Sequence, residues 1–266
     1  MDPLLQTAIE ASHRAGEVLL RKLPQNRQVR YKGQRDIVTD ADEAAQQMIA
    51  DLIRERFPTH AFLGEEGGHG ADLHSATPTW IVDPLDGTTN YARRFPSWCV
   101  AVGLAEAGAL KVGAIYDPAR RETFYASAGQ GAFLQRGRAV AARLHVSGTD
   151  NLEEALVGVD WARDPNLRGR AVAALGRVAA VCRTVRTTGS AALGLVYVAA
   201  GWLDAYYHLA LMPWDVAASA LIIREAGGTL TTPFGAPWAL GEPAVVASNG
   251  KLHQHVMAEL RLGDPA

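Results

Sequence analysis

The spacing of apolar positions divides the chain into segments of helical and of strand-like pattern. From residue 3 to residue 23 the apolar positions Leu4, Leu5, Ala8, Ile9, Ala15, Val18 and Leu19 recur at helical spacing, with Asp2 as cap and Pro3 in the first turn. Residues 25–30 are polar and read as a loop. The run Asp36-Ile37-Val38-Thr39-Asp40-Ala41-Asp42 then leads into a second helix that ends at Phe57 before Pro58, with Thr39 or Asp40 as its cap. Residues 61–63 and 80–82 are short apolar runs and predict strands, the second stopping where Pro84 has no N–H to give a ladder. Apolar segments at 98–104, 110–116, 123–126 and 131–134 are separated by turn signals such as Glu106-Ala107-Gly108 and Asp117-Pro118. They predict an antiparallel meander.

Past a basic, loop-like stretch at 137–148 the pattern alternates. Strands are expected at 156–159, 181–186, 203–207 and 244–247, and helices at 167–180, 190–200, 216–226 and 252–260, the third helix closed by Gly227-Gly228. The expected division falls near Ala139, giving an N-terminal α+β half (residues 1–138) and a C-terminal α/β half (139–266) that share a cleft. No internal repeat or low-complexity segment is visible.

Composition narrows the function classes. Of 266 residues, 48% are hydrophobic and 20% charged, and Lys+Arg 26 against Asp+Glu 28 leaves a formal net charge of −2. That balance gives no reason to expect nucleic acid as the main partner. Cys99 and Cys182 are far apart and outside any CxxC spacing, so neither a disulfide framework nor a structural zinc site is indicated. No basic leader or sustained apolar run marks an export or membrane segment, and a cytoplasmic protein is expected.

The candidate chemistry lies at element ends. Asp83 and Asp86 follow the apolar run Trp80-Ile81-Val82 and flank Pro84-Leu85, so both can turn toward one point, as a hard oxygen-seeking cation requires. Gly87 and Thr88 come next, and with no side chain on Gly87 their backbone N–H groups can approach an anion. Glu65 and Glu66 follow the apolar run at 61–63 in a glycine-rich loop, whose spacing is not GxGxxG and whose acids would repel a pyrophosphate. Asp215 opens the helix after Pro213-Trp214. Thr187-Thr188-Gly189-Ser190-Ala191-Ala192 puts small hydroxyls and a glycine at a strand-to-helix junction. Each feature also has a plainer reading. Asp-Pro-x-Asp-Gly makes an ordinary polar turn, Glu65 and Glu66 make solvated loop charges, and Asp36, Asp40, Asp42 and Asp215 suit helix N-termini. What favours chemistry is that Glu65, Asp83, Asp86 and Asp215 all sit at strand ends or a helix start, which converge on a cleft in layered α/β folds. Four buried carboxylates repel unless divalent cations pair them, and the lack of a Cys/His cluster favours Mg²⁺ or Mn²⁺ over Zn²⁺.

The pieces Gly64-Glu65-Glu66, Trp80-Ile81-Val82-Asp83-Pro84-Leu85-Asp86-Gly87-Thr88-Thr89-Asn90 and Trp214-Asp215-Val216-Ala217-Ala218, with Glu225-Ala226-Gly227-Gly228 downstream, resemble the signatures of the inositol monophosphatase family. The resemblance runs from the first helix to the last. It implies a layered αβαβα sandwich, a Mg²⁺-dependent phosphatase with two or three ions, a small phosphorylated metabolite as substrate and a homodimer. It makes Glu65, Asp83, the Leu85 carbonyl, Asp86 and Asp215 the metal ligands. Gly87 and Thr88 become the phosphate donors, Thr88 with Glu65 orients the attacking water, and Asp42 holds the Thr88 hydroxyl. Gly189, Ser190, Ala191 and His208, with Asp86 and Asp215, match positions that meet the rest of the substrate. The implied reaction is direct in-line attack by water activated at the metals. One position departs from the pattern. Inositol-specific members usually carry a glutamate where this chain has His208, and an imidazole cannot copy a carboxylate that accepts from two hydroxyls. Asp160-Trp161 is an unusual pair that could also face the cleft. Inositol monophosphate leads as substrate, with fructose-1,6-bisphosphate, histidinol phosphate, NADP and 3′-phosphoadenosine phosphates as alternatives. A regulatory binding protein on the same fold is the alternative outside enzymes.

Overall fold

The computed structural model describes residues 2–25, 29–33, 36–67 and 72–261. Residues 26–28 of the expected loop and Gly68 and Gly70 of the glycine-rich loop lie outside them. Helix α1 (Pro3–Lys22) forms where the periodicity predicts it, and the Asp2 carboxylate accepts from the Leu4 N–H at 2.9 Å. Two short strands follow, β1 (Val29–Gly33) and β2 (Asp36–Thr39), paired antiparallel. Neither is expected from the sequence pattern, in which Val29 and Arg30 belong to a loop. The alternation of Val29 and Tyr31 with Arg30 and Lys32 carries the signal, but its apolar side is exposed and so it does not stand out as a core strand. Thr39 caps helix α2 (Asp40–Arg56), its hydroxyl accepting from the Ala41 N–H at 3.2 Å.

The next strands build a seven-stranded sheet in the order β3 (Ala61–Gly64), β4 (Thr79–Asp86), β5 (Cys99–Glu106), β6 (Ala109–Asp117), β7 (Glu122–Ser127), β8 (Ala132–Arg136) and β9 (Ala142–Arg143). Only the β3 and β4 pair in it is parallel. Helix α3 (Thr88–Ala92) leaves the end of β4. A five-stranded sheet follows in the order β11-β10-β12-β14-β13, from β10 (Leu156–Val159), β11 (Thr184–Arg186), β12 (Ala205–His208), β13 (Thr229–Thr231) and β14 (Val245–Ser248). Its helices are α4 (Pro165–Val181), α5 (Ala191–Ala199), α6 (Pro213–Glu225) and α7 (His253–Leu260). Strand β13 was not expected, since three residues between glycines and a turn are too short to show a period.

These elements stack as five layers. Helices α1 and α2 cover one face of the large sheet through Leu19, Ile49, Trp80, Val82 and Leu85. Helices α5 and α6 fill the space between the two sheets, and α4 and α7 close the far face of the small one. The architecture is the expected αβαβα sandwich. Helix α6 is buried on nearly every side, which explains why its sequence shows so little amphipathic contrast. It approaches the sheet closely because Gly113 faces it, where an added Cβ would stand 2.7 Å from the Ala218 carbonyl.

Strand β4 corrects one expectation. It does not stop at Pro84 but runs on to Asp86, because the register slips there: Asp83 pairs with Ala101 while Asp86 pairs with Cys99. Three steps on β4 face two on β5, and this bulge accommodates the missing N–H of Pro84. It also changes which way the acids face. In a regular strand residues three apart point to opposite faces, whereas here the extra residue brings Asp83 and Asp86 to the same side. Trp80, Val82 and Leu85 face α1 and α2, and Ile81 faces α5 and α6.

Candidate active site

The bulge, the start of α6 and the start of α5 meet at one place. Carboxylate oxygens of Asp83, Asp86 and Asp215 all lie within 4.8 Å of one another. Asp83 and Asp215 each also satisfy a local backbone donor, so their plainer readings hold as part of the answer. Asp83 Oδ1 accepts from the Leu85 N–H at 2.9 Å, and Asp215 Oδ2 turns back to the Met212 N–H at 2.7 Å. One polar turn and one helix start thus aim their remaining oxygens at a shared point.

A second cluster adjoins the first. Asp42 is fully buried at the third position of α2, where its Oδ2 accepts from both the N–H and the hydroxyl of Thr39. Its Oδ1 lies 3.2 Å from the Thr88 hydroxyl, which is also 3.1 Å from the Leu85 carbonyl. Gly87 opens α3 at φ 93, and an added Cβ would stand 2.9 Å from the Ser97 carbonyl, so the position demands glycine. Glu65 follows β3, its N–H bonded to the Val82 carbonyl at 3.2 Å, and its charge raises the pKa of Asp42, Asp83 and Asp215. It is therefore close to both clusters, although outside the tight trio.

The residues expected to meet the alcohol part of a substrate are engaged with the protein. Asp86 Oδ2 receives the Ser190 hydroxyl in a short hydrogen bond and the Ala192 N–H at 2.8 Å, while its Oδ1 receives the Ala191 N–H at 3.3 Å. The Gly189 N–H donates to Asp160 at 2.9 Å. His208 is buried, and its Nδ1 accepts from the Ala210 N–H at 3.1 Å. Burial pushes its pKa down to about 4, against a hydrogen bond that the ring donates to the Trp161 backbone and that favours the protonated form. The ring is a neutral pin for the turn after β12. Asn90 and Ser97 have no expected part in the site, and Asp160 is expected only as one of a pair that could face the cleft, yet all three grip the residue 188–190 turn. Asp160 carries a signal, since like Asp83 it directly follows a short apolar run.

Burial lifts the carboxyls of the trio. Asp215 is pushed up to about 7 and Asp86 to about 6, and Asp83 is raised by burial and by Glu65, Asp86 and Asp215. Burial also pushes Asp42 up to about 7. The converging ligand atoms are all oxygens, and a buried group of acids held in mutual repulsion is relieved by a hard divalent cation. The residues fit Mg²⁺ or Mn²⁺.

A sequence model of the inositol monophosphatase family matches residues 1–263. Inositol monophosphatase 1 of Solanum lycopersicum is 36% identical, covering 99% of this chain and 97% of the relative. The chain belongs to the inositol monophosphatase family. Nus factor SuhB of Salmonella typhimurium is 34% identical over 98% of this chain and 97% of that protein. Among solved structures, the Thermotoga maritima IMPase superposes with a TM-score of 0.88 at 32% identity, covering 99% of this chain and all of the other. Family membership accounts for the oxygen-only donor set, and it supports a metal-dependent phosphatase. No helix among the described residues is long and apolar enough to cross a membrane.

Proposed function

We propose that this chain is a Mg²⁺-dependent phosphomonoesterase acting on a small polyol or sugar phosphate, with myo-inositol monophosphate the first substrate to try. The observation that carries the reading is the convergence of Asp83, Asp86 and Asp215 oxygens within 4.8 Å, beside the Asp42 and Thr88 pair. Glu65, Asp83, the Leu85 carbonyl, Asp86 and Asp215 would hold the cations. Bound divalent ions lower the pKa of water and neutralise charge on the attacking and leaving oxygens.

The chain's own residues orient and confine. Thr88 has one hydroxyl proton, and an ionised Asp42 draws it, which leaves the Thr88 oxygen to accept from a water. With Glu65 as a second acceptor, that water is held by its protons with its lone pair directed at phosphorus. Gly87 and Thr88 would donate backbone N–H groups to the phosphate, from a turn that the left-handed φ of Gly87 makes possible. Because His208 is engaged with backbone and carries no charge, it supplies no carboxylate-like grip on vicinal hydroxyls. Substrate choice therefore rests on a comparison of esters. Purified protein is expected to release phosphate with Mg²⁺ and to stop on chelation; full turnover in excess chelator would overturn the reading. The panel is inositol monophosphate, fructose-1,6-bisphosphate, histidinol phosphate, NADP and 3′-phosphoadenosine phosphates. A homodimer in the cytoplasm completes the proposal, checked by the mass of the native protein in solution and by cell fractionation.

The likeness to Nus factor SuhB favours a second, regulatory duty on the same fold. It predicts a stoichiometric partner that co-purifies with the chain and stays bound when Asp83→Asn removes phosphatase activity. Loss of the partner with that change would count against a separate duty.

A further inference from the structure

Asp160 is the first residue after β10 and is only 6% exposed. Burying a carboxylate is costly unless donors surround it. Here they come from one turn and one tyrosine: the Thr188 hydroxyl at 2.7 Å, the Gly189 N–H at 2.9 Å, the Tyr206 hydroxyl at 3.1 Å and the Thr188 N–H at 3.4 Å. A carboxylate is the side chain that can accept from several donors at once without presenting a donor of its own. The same turn is held from the opposite side. The Thr188 carbonyl accepts from Asn90 Nδ2 at 2.9 Å and from Ser97 Oγ at 2.8 Å, residues that belong to the β4–β5 region. Gly189 sits at φ +68, where an added Cβ would stand 2.6 Å from Asn90 Nδ2. The turn is wedged between the two parts of the chain.

Its outgoing residues all grip one oxygen pair. The Ser190 hydroxyl and the N–H groups of Ala191 and Ala192 donate to Asp86. Asp86 is in turn one of the three carboxylates whose oxygens converge within 4.8 Å. A displaced turn would remove three donors from Asp86 together and free its carboxylate to rotate away from Asp83 and Asp215.

We infer that Asp160 is a positioning residue: by locking the residue 188–192 turn it fixes the Asp86 carboxylate and so sets how tightly the site holds a divalent cation. This rests on the metal-site reading above, which it extends to a residue two contacts away from the ions. Groups that orient a metal's ligands typically contribute ten- to hundredfold in affinity.

The test titrates Mg²⁺ calorimetrically into native protein, Asp160→Ala, Asp160→Asn and Tyr206→Phe, without substrate. Asp160→Ala is expected to weaken Mg²⁺ binding by at least about tenfold. Asp160→Asn should fall between it and native, since one amide oxygen still accepts. Tyr206→Phe removes one hydrogen bond without releasing the turn and should bind like native. Amide hydrogen exchange at Ser190, Ala191 and Ala192, measured with chelator, should speed up in Asp160→Ala but not in Tyr206→Phe. If native protein binds Mg²⁺ and folded Asp160→Ala binds it equally well, the inference is overturned. If Asp160→Ala does not fold, native-like binding by Asp160→Asn and Tyr206→Phe alike overturns it. If native protein binds no Mg²⁺, the metal-site reading fails by itself, and unchanged exchange at the three amides then sinks the role of Asp160 as well.

Discussion

Asp83 concentrates the electrostatic problem of the site at one carboxylate. It is 2% exposed and faces Glu65, Asp86 and Asp215. Replacing it with Asn keeps its size and an oxygen for the Leu85 N–H while removing the charge. The chelated Asp83→Asn protein should therefore melt at or above the native temperature, because an unpaired buried charge is gone. Its Mg²⁺-induced rise in Tm and its phosphate release should both be lost. Near-native turnover at millimolar Mg²⁺ would show that Asp83 is not a ligand. The acids themselves were legible in the sequence because each stands at the end of an apolar run. What holds them was not. Ser190 reaches Asp86 across 104 positions and Asn90 reaches Thr188 across 98, and no local pattern reports pairs so distant. His208 was singled out by its departure from a familiar motif, yet its ring bonds to backbone, at Ala210 beside it and at Trp161 after β10.

Elements, unlike hydrogen bonds, leave a period in the sequence. Helices α1, α2 and α4 and the meander from β5 to β8 follow from that period, since each has one face or both faces buried over many residues. The short strands β1 and β13 escaped for want of length or of a buried side. The bulge in β4 escaped because a proline normally marks a stop, and only pairing with β5 lets the strand continue. Helix α6 is the element on which the site depends most, because Asp215 stands in its first turn and its body is pressed onto β5 and β6. The contact is closest at Gly113, where a Cβ would meet the Ala218 carbonyl at 2.7 Å, and easier at Gly103, where the nearest atom is Ala217 Cβ at 3.3 Å. Gly113→Ala should cost about 1–3 kcal/mol through overpacking, and Gly103→Ala less. Urea midpoints should fall in that order, with unchanged slopes. Equal midpoints for the two variants would mean that α6 yields freely, contrary to a rigid seat for Asp215.

At the scale of the whole molecule, the fold spends stability to bring acids together, and pH reveals where that cost lies. Without cations, burial pushes Asp42 and Asp215 up to about 7 and Asp86 to about 6, whereas unfolded carboxyls titrate near 4. Between those limits the folded chain holds more protons than the unfolded one, so this contribution to stability falls as pH rises, and Asp83, raised well above the usual carboxylate range, adds to the fall. The buried His208 and His253 and the half-buried His13 and His60 act oppositely below about pH 6.5, because folding expels their protons. A melting curve alone therefore mixes two signs. Mg²⁺ binding separates them, since only the carboxyls must lose protons to accept the ion. Affinity for Mg²⁺ should climb as pH rises through about 6 to about 7, where Asp86, Asp42 and Asp215 ionise, and Asp83, raised well above the usual carboxylate range, carries the climb further. Calorimetry in buffers of different ionisation enthalpy should record protons released on binding near pH 6, and fewer as pH rises past about 7. An affinity that is flat across this range would mean that the trio is already ionised without metal. Burial would then be balanced by donors alone, and the pull of the site on a cation would be weaker than its crowded acids imply.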